Sequence, residues 1–223
     1  MAEWGEFGLA LGLFFVTHIV PLRPSVRTPV TAKIGALSFG LGYSILSIAV
    51  LAWLIVAAGR APYIELWPRY EWQTWGPVIA MFAVCMILGF ALGRPNPLSF
   101  GGARNDHFDP KRPGVIAWTR HPVLAALMLW SFAHMLPNGD LAHAILFSLF
   151  GGFSILGGYQ IDRRKRREMG DAEWQALVNV SRSNGFAGWG SGKDIVLRGL
   201  ATVGVYTLLI VLHPIVLGVS PLP

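Results

Sequence analysis

Six long apolar runs are the feature of this sequence that most restricts its fold. They lie at about residues 4–20, 35–58, 75–92, 115–136, 141–161 and 199–219. Most of them approach the ~20 residues that an α-helix needs to cross the hydrocarbon core of a bilayer. Helices of a soluble bundle would show polar stripes every third or fourth residue, and these runs lack them. The sequence therefore predicts an all-α, polytopic membrane protein with six transmembrane helices.

The composition supports the same fold class. Only 13% of the residues are charged, whereas about a quarter are charged in a typical soluble domain. Neither a soluble module nor an internal repeat of 20–50 residues is visible. We therefore interpret residues 1–223 as a single integral membrane domain whose first partner is the lipid bilayer.

The distribution of basic residues predicts the orientation of the helices. Sixteen of the eighteen Lys and Arg residues lie in three stretches: three in 21–34, five in 94–120 and eight in 162–198. Such alternation follows the positive-inside rule, so these stretches are predicted to be cytoplasmic and both termini to lie outside the cytoplasm. Because the charge is divided among membrane-flanking loops, it does not indicate nucleic-acid binding.

The two longer cytoplasmic loops, 94–120 and 162–198, are expected to be structured. The first is rich in proline and glycine, which favours a shaped loop over an unstructured connection. The second is expected to begin as an extension of the fifth helix, with ion pairs joining Arg164 to Glu168 and Arg167 to Asp171. The five basic residues at 163–167 are interpreted as an anchor for anionic lipid, worth about 1 kcal/mol per basic residue.

Small residues recur at helical spacing in two of the apolar runs. Ala36, Gly40 and Ser44 share one face of the second predicted helix. A second set, on the fifth helix, consists of Gly151, Ser154 and Gly158. Small side chains let membrane helices approach closely, so both faces are predicted to pack against a neighbouring helix.

The candidate functional residues are an arginine and three histidines at or within predicted membrane helices. Arg120 and His121 stand in a Thr-Arg-His-Pro motif, His134 lies further along the same apolar run, and His18 ends the first run. Ionisable groups in such positions usually face a cavity, a cofactor or a partner. Arg120 is open to two interpretations: it extends to the interface, or it holds an anionic group such as a propionate.

The spacing of the histidines restricts how they can bind a metal. His121 and His134 are 13 residues apart, so a continuous helix would separate them by about 20 Å and prevent them from sharing an iron. Two arrangements remain open: an inner pair of His18 with His121, or an outer group drawn from His134, His143 and His213. A zinc hydrolase is not indicated, because the ordered histidine and carboxylate spacing of such sites is absent.

Four motifs lie at 96–102, 114–122, 130–140 and 162–164, and their core runs from Thr-Arg-His-Pro to Ala-His-x-x-x-Asn-Gly-Asp. These motifs resemble those of the NnrU family. The resemblance implies a protein of the bacterial inner membrane with links to denitrification. The family also includes zeta-carotene isomerase, an enzyme that uses haem b held by histidines. By this resemblance His18 and His134 are the iron ligands, His121 is a third cofactor-binding candidate, and Arg120 and His121 are the catalytic candidates.

The resemblance implies a redox-gated isomerase-like or nitrogen-oxide-related activity, with a lipophilic small molecule as a possible substrate. Two alternatives stay open. Arg120-His121-Pro122 also resembles a motif of isoprenylcysteine methyltransferases, which implies a methyltransferase that uses S-adenosylmethionine. The paired glutamates of those enzymes are replaced here by the basic run at 163–167. A third hypothesis is a non-enzymatic accessory subunit with a respiratory or denitrification protein as partner.

Overall fold

The computed structural model describes residues 2–100 and 102–223, which form α-helices joined by loops and short 3₁₀ turns. The helices are α1 Ala2–Ile19, α2 Pro24–Ile34, α3 Ala36–Arg60, α4 Trp75–Ala91, α5 Pro122–Met135, α6 Leu141–Met169, α7 Asp171–Ser183 and α8 Gly192–Leu217. Within the described residues, β-type hydrogen bonding is limited to an isolated antiparallel bridge between Glu65 and Asp140. The all-α prediction is confirmed.

Four helices of the described residues are long and apolar enough to cross a membrane. They are α3, α6, α8 and the segment Glu71–Ala91, which joins a 3₁₀ turn to α4. A fifth span is obtained if Trp4–Ile19 and Pro24–Ile34 form one span bent by 71°. Helix α5 is apolar but has only 14 residues. The molecule is thus a multi-pass membrane-type protein with four or five candidate spans, and the predicted six are not confirmed.

The start of α5 differs from the prediction. A helix was expected from about residue 115 with a kink at Pro122, whereas the structure has a 3₁₀ turn at Gly114–Ala117 and begins α5 at Pro122. Proline lacks the N–H that an interior helical position donates, and it is favoured in the first turn. The residue before proline is also disfavoured in the α region, and His121 has φ −117° and ψ 66°.

The described chain divides into two compact units, which are described separately. Unit 1 comprises Met1–Pro68 and Gly139–Leu146, and unit 2 comprises Arg69–Asn138 and Phe147–Pro223. In unit 1, α1 packs against α3. A polar contact accompanies this packing, because Glu6 Oε1 accepts hydrogen bonds from Trp53 Nε1 at 3.1 Å and from Arg60 Nη1 at 3.4 Å.

The predicted basic loop at 21–34 is mostly helical. Helix α2 follows α1 after a short break, and Pro24 occupies its first turn. Gly35 then joins α2 to α3 with φ +82°, a conformation that glycine adopts without a steric penalty. The small-residue face of α3 does not pack as predicted, because Ala36 and Ser44 are exposed and a Cβ at Gly40 would meet no described atom within 4 Å.

In unit 2, α4 packs against α5 and α8. The small-residue face of α6 is used as predicted. A Cβ at Gly151 would lie 2.9 Å from the ring of Phe132, Ser154 is buried, and a Cβ at Gly158 would lie 3.4 Å from the ring of His121. This face therefore lets α6 approach α5 and the residue that precedes it.

The loop between α4 and α5 folds against α7 in a second part of unit 2. Leu98, Val115 and Ile116 from this loop form a buried cluster with Phe90, Ala91, Trp174 and Val178. Arg94 fixes the far side of the loop by donating hydrogen bonds to the carbonyl oxygens of Gly188 and Trp189 and by pairing with Asp194. The expectation of a shaped loop is borne out, and α7 is an amphipathic helix that the apolar runs did not predict.

The end of α6 confirms the predicted extension and changes one ion pair. Helix α6 continues to Met169, and Arg164 Nε contacts Glu168 Oε1 at 2.6 Å as expected. Asp171 instead pairs with Arg166, at 3.3 Å. The reason is Gly170, whose φ of +89° ends α6 and begins α7, so that Asp171 no longer continues the face of α6. The prediction of a pair between Arg167 and Asp171 was wrong.

Candidate functional site

His121 stands immediately before α5, with both ring nitrogens engaged. Its Nδ1 lies 2.9 Å from Ser99 Oγ in the loop after α4, and its Nε2 lies 3.0 Å from Asp162 Oδ1 on α6. Its side chain is 12% exposed. A residue 22 positions before His121 and a residue 41 positions after it therefore contact the same imidazole ring.

Arg120 holds the same aspartate from the other side. Its Nη2 donates to Asp162 Oδ2 at 2.6 Å, and its Nε lies 3.4 Å from Asp162 Oδ1. This paired geometry suits the planar guanidinium group. The guanidinium also lies 5.3 Å from the centre of the Trp174 ring, a cation–π distance. The structure thus gives Arg120 a carboxylate partner within the protein.

Asn96 completes a group of five residues that we call the polar cluster: Asn96, Ser99, Arg120, His121 and Asp162. Asn96 Nδ2 donates to the carbonyl oxygen of Arg120 at 3.0 Å, and its Oδ1 accepts from the backbone N–H of Leu98 at 3.1 Å. Asn96 is 2% exposed. A buried amide with both ends bonded fixes the loop that carries Ser99 to the residue before His121.

The electrostatics of the polar cluster favour a neutral imidazole. Burial lowers the pKa of His121, the Asp162 carboxylate opposes that shift, and the Arg120 guanidinium adds to it. A neutral ring can satisfy both contacts if Nε2–H donates a hydrogen bond to Asp162 and Nδ1 accepts a hydrogen bond from the hydroxyl group of Ser99. His121 can therefore take up the hydroxyl proton of Ser99 on Nδ1 while its Nε2–H stays bonded to Asp162, which Arg120 holds in position.

Ser99, Asn96 and Asp162 were not identified as site residues from the sequence. All three do stand in the segments that carry the family resemblance, and Asp162 is an acidic residue at the end of a long apolar run. An acidic residue in that position is costly to bury without a partner. Neither signal indicates which histidine or arginine these residues contact.

His134 lies near the other end of α5 from His121. Its Nδ1 is 2.8 Å from the carbonyl oxygen of Trp130, one turn earlier. The rings of Trp130 and Phe147 are centred 5.2 Å and 5.8 Å from the imidazole. Within the described residues its Nε2 makes no hydrogen bond. His121 and His134 are thus separated along α5 as the sequence predicted.

His18 has a similar local environment in unit 1. Its Nδ1 is 2.8 Å from the carbonyl oxygen of Phe14, again one turn earlier on the same helix. Its ring stacks on Phe14 at 4.0 Å, and the Tyr43 ring is centred 6.1 Å away. The Nε2 atom of His18 also makes no hydrogen bond to any residue that the structure describes.

These geometries test which histidines suit an iron ligand. A ligating histidine commonly donates its other N–H to a carbonyl or carboxylate, which fixes the ring and leaves one lone pair for the metal. His18 and His134 meet this requirement, whereas both nitrogens of His121 already have protein partners. No group of three or more His, Cys, Asp or Glu side chains in the described ranges could hold a metal ion. His18 and His134 therefore each offer Nε2 for a single ligand bond to a metal.

Comparison with known proteins agrees with the resemblance seen in the sequence. The family model described as NnrU protein matches residues 6–221 of the 223-residue chain. No curated protein and no solved structure matches this chain. Since the family match extends over nearly the full length of the sequence, this chain belongs to the NnrU family.

Proposed function

We propose that this NnrU-family membrane protein binds haem b, and that His18 and His134 are each suited, within their own unit, to supply an iron ligand. The observation that carries the proposal is the shared geometry of these two residues. Each histidine orients its ring through a bond from Nδ1 to a carbonyl of its own helix and leaves Nε2 without a protein partner. A polar ring nitrogen without a partner in an apolar segment costs several kcal/mol, and an iron ligand bond removes that cost.

The aromatic neighbours of His134 and His18 have a defined role in this proposal. Trp130 and Phe147 flank His134, and Phe14 covers one face of His18. These rings restrict the rotation of each imidazole. When bound, haem would supply an iron whose redox state and axial ligands set its reactivity. We propose a redox-gated, isomerase-like or nitrogen-oxide-related role in the bacterial inner membrane, with a lipophilic substrate.

The polar cluster has a separate role in the proposal, near the substrate rather than at the iron. Its neutral His121 can accept or return a proton through Ser99 Oγ, and Arg120 keeps Asp162 in place as the partner of Nε2. The same pairing disfavours the methyltransferase alternative. Arg120 would have to leave Asp162 before it could bind an anionic group of S-adenosylmethionine.

The experiment that tests haem binding compares absorption spectra of the full-length protein in detergent, expressed with added haem precursor. Oxidised and dithionite-reduced spectra and a pyridine haemochrome assay measure haem b per protein. We expect a Soret band and sharp reduced α and β bands in the wild type. Both His134→Ala and His18→Ala should lower the haem content by more than half. A folded wild-type protein without a Soret band would overturn the proposal.

His213→Ala provides the matched control. His213 also lies in a membrane helix and also uses Nδ1 to contact a carbonyl, that of Val219 at 2.7 Å, but this carbonyl lies beyond the end of α8 rather than one turn earlier on the same helix. We expect its haem content to equal that of the wild type. His121→Ala should likewise retain haem, since its two nitrogens serve Ser99 and Asp162. Equal loss in all four variants would indicate a general folding defect and remove the assignment of ligands.

A further inference from the structure

The basic run at 163–167 does not act as a uniform band of charge. Lys165 and Arg164 both contact Glu168, at 3.1 Å and 2.6 Å. Arg166 lies 4.1 Å from the centre of the Trp174 ring and pairs with Asp171. These contacts direct three of the five basic side chains towards partners within the protein.

Arg163 and Arg167 are different, because neither makes an ion pair with the described residues. They are four residues apart on α6, so they lie on the same face of the helix. Together with Gln160, Ile161 and Arg164 they line an open groove of about 460 Å³. That volume falls within the range of roughly 300–1,000 Å³ typical of small-molecule sites.

The groove directly continues an apolar face of α6. One and two turns before Arg163, Tyr159 is 67% exposed and Leu156 is 61% exposed. Exposed leucine in a candidate span contacts lipid chains, and tyrosine is enriched where a helix leaves the hydrocarbon layer. Along a single face the helix therefore presents an apolar surface, then an aromatic ring, then an amide and unpaired guanidinium groups.

We propose that this groove binds the phosphate headgroup of an anionic phospholipid from the surrounding bilayer. Arg163 and Arg167 would bind the phosphate oxygens, Gln160 would donate to the headgroup, and the acyl chains would lie along Tyr159 and Leu156. A lipid is favoured over a free phosphate because the apolar face and the charged groove adjoin on one helix. The proposal does not depend on haem binding. It assigns the affinity of the basic run 163–167 for anionic lipid to Arg163 and Arg167.

Native mass spectrometry of the full-length protein released from detergent micelles tests this assignment. Phosphatidylglycerol and phosphatidylcholine are titrated separately, and the affinity for the first bound lipid is measured. Each basic residue near an anionic surface contributes about a fivefold preference. We expect the wild type to prefer phosphatidylglycerol by at least tenfold, and R163Q/R167Q to lose most of that preference. Wild-type protein without a preference would overturn the proposal.

The matched control is K165Q/R166Q, which removes the same charge from the same run at residues that already have protein partners. We expect it to keep the phosphatidylglycerol affinity within about twofold of the wild type, while R163K/R167K should lose only part of it because the charge remains. If both glutamine pairs lose the preference equally, net charge alone is responsible and the groove assignment is wrong. Competition by inorganic phosphate as strong as by phosphatidylglycerol would show that the lipid chains contribute nothing and also overturn it. Thermal unfolding of each variant verifies that it is folded.

Discussion

At the scale of single residues, the protonation state of His121 controls the polar cluster. A neutral ring can accept a hydrogen bond from the Ser99 hydroxyl group and donate one to Asp162 at the same time. A protonated ring keeps its contact with Asp162 but carries a proton on Nδ1, so it can only donate to Ser99. Burial makes the second state unfavourable in the folded protein, and its effect outweighs the attraction of Asp162.

This balance predicts how stability depends on pH. Because the pKa of His121 is lowered on folding, the unfolded chain binds more protons than the native state below about pH 6.5, the ordinary histidine value. Stability should therefore fall as the pH falls from 6.5 towards the lowered native pKa. We expect the melting temperature to drop less between pH 7.5 and 5.5 in His121→Gln than in the wild type, as measured by thermal unfolding in detergent. Equal drops would contradict the prediction.

The pair of Arg120 and Asp162 should contribute more to stability than the other pairs of the basic segment. Its side chains are 23% and 15% exposed, whereas those of Arg166 and Asp171 are 44% and 58% exposed. Breaking a mostly buried pair leaves an uncompensated charge, so Asp162→Asn should lower the free energy of unfolding by about 2–4 kcal/mol. The control Asp171→Asn should cost about 0–1 kcal/mol. Chemical unfolding of both variants measures the difference, and similar values would contradict this account.

The sequence allowed only part of this site to be predicted. Arg120 and His121 were recognisable because two ionisable residues precede a proline at the start of an apolar run. Their partners were not, since Ser99 and Asp162 are brought to His121 by the folding of the loop after α4 and by the packing of α6. A one-dimensional pattern records hydropathy and spacing, but it does not record which distant side chains share a hydrogen bond.

At the scale of helices and loops, hydropathy predicted the long elements and missed those stabilised by tertiary contacts. The apolar runs gave α3, α4, α6 and α8 because each buries its backbone hydrogen bonds within one helix. Helix α7 was missed, since it is short and amphipathic and depends on burying Trp174 and Val178. The first turn of α5 was misplaced because residues 115–118 are also apolar, whereas Pro122 determines where the helix begins.

Glycine packing between α4 and α8 provides a test at this scale. A Cβ at Gly89 would lie 2.2 Å from Thr202 Oγ1, a buried atom, whereas a Cβ at Gly204 would meet nothing within 4 Å. Gly89→Ala should therefore force the two helices apart and cost about 1–3 kcal/mol. Gly204→Ala should be neutral or stabilise the protein by up to about 1 kcal/mol, because alanine is the better helix former. Thermal unfolding compares the two, and equal effects would refute the close approach.

At the scale of the whole molecule, the charge asymmetry of the loops makes a prediction that is independent of the number of spans. Sixteen of the eighteen basic residues fall in three stretches that alternate with nearly uncharged ones. Retaining positive loops on the cytoplasmic side sets the orientation of a multi-pass protein. The stretch 162–198, which contains α7, should therefore face the cytoplasm, and the segment after α8 should face outward.

Cysteine accessibility measures this orientation directly, since Cys85 is the single cysteine of the chain and is buried. In a Cys85→Ala background expressed in bacterial cells, Ser183→Cys and Ser220→Cys place one exposed thiol at the end of α7 and one after α8. A membrane-impermeant maleimide should label Ser220→Cys in intact spheroplasts, and Ser183→Cys only after the membrane is permeabilised. The opposite pattern would reverse the orientation and place the polar-cluster side of α6 outside the cytoplasm. Labelling of both thiols in intact spheroplasts would mean that an even number of crossings separates the two positions, so that α8 would not span the membrane.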